Sequence, residues 1–81
     1  MYHVLGYRVG TWTNDKGQTF PMVRLYCGQE FQQKQGERSC GVRTYEFKVA
    51  GEDVLSGIAV GDRVNLYFDQ YQRVNLIQLV D

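Results

Sequence analysis

Hydrophobic and polar residues alternate along this chain with a period of two almost throughout. They do so in short runs rich in β-branched and aromatic side chains, set between clusters of turn-forming residues. The pattern predicts an all-β chain. The first run extends from Tyr2 to about Thr13, with Leu5, Tyr7, Val9 and Thr11 alternating with Gly6, Arg8, Gly10 and Trp12. Gly6 and Gly10 mark expected bulges or bends. Asn14, Asp15, Lys16 and Gly17 supply a reversal, since Asn, Asp and Gly tolerate the positive φ angles of tight turns. A second strand is expected from Thr19 to Gly28, with Val23, Leu25 and Cys27 on one face and Phe20, Met22, Arg24 and Tyr26 on the other.

Residues 29 to 39 are polar apart from Phe31 and read as a mobile hairpin loop. A third strand follows from Cys40 to Val49, with Arg43, Tyr45, Phe47 and Val49 on one face and Val42, Thr44, Glu46 and Lys48 on the other. Between Gly51 and Gly61 the alternation breaks, and Val54, Leu55, Ile58 and Val60 suit a single helical turn or a packed loop. Strands from Arg63 to Phe68 and from Arg73 to Val80, joined by a reversal at Asp69 to Gln72, complete the chain. Five strands with a short helical plug between the third and fourth are the element string of an OB-fold, a small Greek-key barrel. Closure would also remove the exposed sheet edges that an open five-stranded sheet leaves. SH3-like barrels and small β-sandwiches can be written from similar strings.

The 81 residues leave room for one domain, spanning 1–81. Eleven aromatics and a single Pro set the composition apart from that of disordered segments. Tyr7, Tyr45, Phe47 and Phe68 are expected in the core from their place in the alternation. So small a core leaves little surplus over chain entropy, so a homodimer is expected, with the Phe31 loop or the Val54 to Ile58 segment as contact. No apolar run approaches the length of a membrane span, and no basic-then-apolar leader opens the chain, so a soluble, cytoplasmic protein is expected.

Few residues are available for catalysis. Ser39 and Ser56 have no neighbouring His, no carboxylate pair is evident and no glycine-rich loop leads into a helix, so an enzyme is not expected. Cys27 and Cys40 lack a second Cys or His pair, so neither a metal nor another cofactor is expected. The two thiols read as small buried or half-buried side chains, reduced in such a compartment, although a bridge across the loop is geometrically open to them. His3 stands alone near the terminus and reads as inert.

Nine Lys and Arg against nine Asp and Glu give no long-range basic field, so any nucleic-acid contact must use a local patch. A single strand requires flat apolar platforms for its bases next to cations for its phosphates. Phe20, Met22, Arg24 and Tyr26 interleave in that way on the second strand, Arg63 and Tyr67 lie on the fourth, and Tyr71 and Arg73 lie at the last reversal. In an OB-fold the turns after strands one and four border the face of strands two and three, which would gather Lys16, Tyr71 and Arg73 there. Lys16, Arg24, Arg63 and Arg73 would then face the groove while Glu52, Asp53 and Asp62 surround the plug. Trp12, Phe20, Tyr26 and Tyr67 are equally suited to a subunit interface. Lys34 and Arg38, beside Glu30 and Glu37, read as a solvated loop.

Residues 15 to 27 (DKGQTFPMVRLYC) and 73 to 80 (RVNLIQLV) resemble the wing region and last strand of filamentous-phage single-stranded-DNA-binding proteins. The resemblance implies an OB-fold homodimer, of a phage or mobile element, that coats single-stranded DNA without sequence preference. It places Trp12, Lys16 and Phe20 on the wing and Arg24 and Tyr26 on the binding face. Residues 29 to 38 and the neutral charge depart from that pattern. A protein-interaction module built on the Phe20, Met22 and Tyr26 face, and an RNA-binding domain, are the alternatives.

Overall fold

Asn14 sets the first reversal. Its Oδ1 accepts hydrogen bonds from the backbone N–H groups of Lys16 and Gln18, each at 3.0 Å. Gly17 supplies the left-handed φ of 78° that closes the turn. The computed structural model, which describes residues 1–32 and 34–80, shows this turn joining two twelve-residue strands, β1 (Tyr2–Thr13) and β2 (Thr19–Glu30). Next come β3 (Val42–Lys48), one 3₁₀ turn (Glu52–Leu55), β4 (Arg63–Phe68) and β5 (Val74–Leu79). Residue 33, inside the expected loop, lies outside the described residues.

The strands form one antiparallel sheet in the order β3-β2-β1-β4-β5. It is not closed, contrary to the barrel expected from the element string. The edge strands meet only through a parallel bridge between Val49 and Val74, reinforced by the Ala50 N–H donating to the Val74 carbonyl at 2.8 Å. After Ala50 the chain turns away into the 3₁₀ turn, so no further rungs form. The expected plug is this single turn. Its Leu55 is buried, and Val54 and Ile58 pack against the core.

Pairing between β1 and β4 is confined to Tyr2 with Val64 and His3 with Arg63. On the other side, β3 pairs with β2 only from Arg24 onward. The Val49 N–H still donates to the Val23 carbonyl at 3.1 Å, so it is from the Gly10–Met22 pair to the tip that the β1–β2 hairpin is a two-stranded arm, and the molecule measures 51 Å along its longest axis. The register slips between Val4 and Gly6, so the first expected bulge exists, whereas Gly10 stands in regular register opposite Met22.

Among the described residues the buried hydrophobic side chains are Val4, Val23, Leu25, Cys27, Val49, Leu55, Val64 and Val74. Tyr45 and Phe47 are half-buried around Tyr2, whose ring meets both edge-on at 5.6 and 5.4 Å. Two expected core residues are not core: Tyr7 is 49% exposed and Phe68 is 44% exposed. Tyr7 shares the face of Leu25, but β1 has no neighbour on its other edge beyond Val4, so that edge leaves it uncovered. Phe68 ends β4 and is covered on one side only, by Phe47. Both cysteines are free thiols; Cys27 is buried, which pushes its thiol up to about 11, whereas Cys40, contrary to expectation, is exposed because β3 begins only at Val42.

Candidate nucleic-acid interface

The β1–β2 register carries Arg8, Trp12, Phe20, Met22, Arg24 and Tyr26 to one outer face, because paired residues share a face and each second residue repeats it. Trp12 and Phe20 form a cross-strand pair near the arm tip. Their rings stack with centroids 4.8 Å apart and planes 28° from parallel, yet they remain 49% and 38% exposed. Each ring spends one face on the other. Lys16 sits in the exposed turn just beyond them.

Further along the same face, Arg8 lies directly opposite Arg24, and Arg24 directly opposite Lys48 of β3. Three cations thus form a row across three strands, an arrangement that like-charge repulsion disfavours unless anions sit beside it. The protein supplies one. The Glu46 carboxylate lies 3.7 Å from Arg24 Nε and accepts from the Tyr26 hydroxyl at 3.4 Å. The Arg8 guanidinium carbon stands 5.8 Å from the centre of the Tyr26 ring. Such an exposed ion pair is worth little, so a phosphate can replace Glu46 at small cost.

Neither Arg8 nor Lys48 is among the residues picked out from the sequence. Arg8 was within reach: once the 14–18 turn pairs Thr13 with Thr19, counting back along both strands sets Arg8 against Arg24. Lys48 was not, since its register depends on how the long loop between Glu30 and Val42 closes.

The β4–β5 turn is organised by Asp69. Its Oδ1 accepts from the backbone N–H groups of Arg73 and Tyr71, each at 2.9 Å, and its Oδ2 accepts from Arg73 Nε at 3.0 Å. Tyr71 is exposed, with the Arg73 guanidinium 5.2 Å from its ring centre. The Arg73 N–H above all, then the Tyr71 N–H and the Arg73 guanidinium, hold the Asp69 carboxyl below the usual range against a smaller opposing effect of desolvation. A carboxyl lowered on folding stabilises the fold above its unfolded value, about 3.9. That contribution is lost as pH falls through the lower folded value. The turn is therefore expected to loosen only below about pH 4, and Asp69→Asn to abolish that acid step, read from the Tyr71 and Arg73 amide shifts by NMR.

This turn reaches the end of the cation row, for Gln72 and Phe68 line one concavity with Glu46, Phe47 and Lys48. Tyr71 and Arg73 flank Gln72 in this turn without lining that concavity, and Arg73 is engaged by Asp69. Arg63 and Tyr67 are not brought there. Arg63 lies opposite His3 and lines, with His3, Arg43, Lys34 and Tyr45, a separate concavity of about 900 Å³. Tyr67 pairs with Leu76 on the outer face of β4–β5 and donates to Gln78 Oε1 at 3.1 Å. The expected gathering of Lys16, Arg24, Arg63 and Arg73 on one groove is corrected accordingly: Lys16 stands away at the tip of the arm, Arg63 lines another concavity, and Arg24 is flanked instead by Arg8 and Lys48, with an acid, Glu46, among them.

Among the described residues no three His, Cys, Asp or Glu side chains gather as metal ligands, and no helix is long and apolar enough to cross a membrane. Compared with protein-family models, curated proteins and solved structures, the chain finds no match.

Proposed function

We propose that this protein binds single-stranded DNA without sequence preference, as a cytoplasmic strand-coating protein of a phage or mobile element. The Arg8–Arg24–Lys48 row beside Tyr26 carries the reading. It sets cations next to a ring, on the face that also bears the exposed Trp12–Phe20 pair, and this supports the reading because a single strand requires both. Base stacking on aromatics is worth about 1 to 3 kcal/mol per base, which compensates for the absence of a broad basic field.

The fold reading that accompanies it is a partly open OB-type Greek-key barrel. The strand order, with the edge strands β3 and β5 touching through the Val49–Val74 bridge, supports that reading, as does the helical turn between β3 and β4. A homodimer belongs to the same proposal. The few fully buried side chains and the exposed Tyr67–Leu76 pair favour further apolar burial between copies.

The test is a titration of Trp12, the single tryptophan, by fluorescence with single strands and with duplex of equal length. Quenching by single strands, preference over duplex and weakening by salt are expected. Three phosphate contacts on a single strand predict a slope of log affinity against log salt of about −2. Preference for RNA over DNA of the same sequence would move the assignment to RNA. Absence of binding at low salt would overturn it in favour of a protein-docking module.

A further inference from the structure

At the end of the cation row, Glu46, Phe47, Lys48, Phe68 and Gln72 line a slot of about 430 Å³, within the range of small-ligand sites. Three independent features distinguish it. The Phe68 ring meets Phe47 at 5.5 Å with an interplanar angle of 61°, and its remaining surface is open, as its 44% exposure shows. Gln72 is the one non-glycine residue at positive φ among the described residues, at 61°. Side chains rarely adopt that conformation, and it persists where the surroundings over-determine it. Here the Asp69 carboxylate does so through the amides on either side of Gln72, together with the Gln72 N–H donating to the Asp69 carbonyl at 3.0 Å. Lastly, Lys48 makes no ion pair among the described residues.

We infer that this slot takes one unstacked base of the bound strand, an inference that rests on the single-strand reading above. The base lies on Phe68, its edge meets the Gln72 amide, and the adjoining phosphate meets Lys48. An amide offers both donors and an acceptor, so it can serve the edge of any base and adds affinity without dictating sequence. The continuity of Lys48 with Arg24 and Arg8 is what selects a nucleic-acid strand as occupant: phosphates that follow the row arrive at the slot.

The experiment compares a short oligothymidylate with an abasic sugar-phosphate oligomer of equal length, titrated into the full wild-type chain and into Phe68→Leu, Gln72→Gly and Trp12→Leu. Phe68→Leu is expected to weaken oligothymidylate binding about 5- to 150-fold, the factor that 1 to 3 kcal/mol of stacking represents. It should leave the abasic oligomer's affinity unchanged. Gln72→Gly suits the local φ and keeps the turn folded, so a loss of oligothymidylate affinity in this variant reports the amide contact. If both variants bind oligothymidylate as the wild type does, the slot is not a base site. A loss confined to Trp12→Leu would then leave the arm's role standing. If the wild type binds neither oligomer at low salt, the single-strand reading falls and this inference with it.

Discussion

Leu25→Ala is expected to remove about 2–5 kcal/mol of folding stability. A chain of this length commands a total of only about 4–12 kcal/mol, at the usual 0.05–0.15 kcal/mol per residue. Leu25 is fully buried and stands between Tyr7 of β1 and Phe47 of β3, in the middle of the strand that the first three strands share. The surrounding side chains relax only in part around the space left by the leucine, so a cavity cost adds to the lost transfer energy. Urea titration should show a lower midpoint with an unchanged slope. A loss below about 1 kcal/mol would mean that packing between copies, and not this small interior, holds the fold.

The second large effect separates two arginines that are indistinguishable in composition. Arg8→Gln is expected to weaken single-strand binding and to reduce the salt slope by about 0.7, one phosphate contact's share. Arg63→Gln, which makes the same change in net charge, should leave both untouched. In the same measurement Tyr26→Ala and Arg24→Ala should each cost about 1–3 kcal/mol. Equal losses for Arg8→Gln and Arg63→Gln would show that overall charge governs binding and that the row has no special part in it.

The contrast between those two arginines shows where reading the chain succeeds. Alternation within a strand is local, so the faces of β2 and β3 were legible: Val23, Leu25 and Cys27 point inward, and Phe20, Arg24 and Tyr26 point outward. Reversals are local as well, and the Asn14–Gly17 turn forms from the residues that announce it. Juxtapositions across distant strands depend on registers that loops set. Hence alternation points Arg63 at a groove it does not reach and gives no sign of Lys48. The misplacement of Tyr7 and Phe68 has a related cause. Alternation says which side a residue faces, but only the neighbouring strand decides whether anything lies on that side. Closure failed for the same reason, since the one bridge between Val49 and Val74 depends on where the chain leaves the sheet after Ala50.

The two-stranded arm has a consequence for motion. From the Gly10–Met22 pair outward, its cross-strand hydrogen bonds have no third strand beside them, and most of its side chains are in contact with solvent. Isolated two-stranded ribbons are marginal in water. The amides of the arm therefore exchange with solvent through local opening, far ahead of those around Leu25, which exchange only through events that approach global unfolding. A strand lying across Trp12 and Phe20 would couple binding to the closing of that local equilibrium. Part of the interaction energy is then spent on ordering the arm, and the protein's grip on its ligand becomes adjustable by any substitution that stiffens the ribbon, even one that touches no nucleotide.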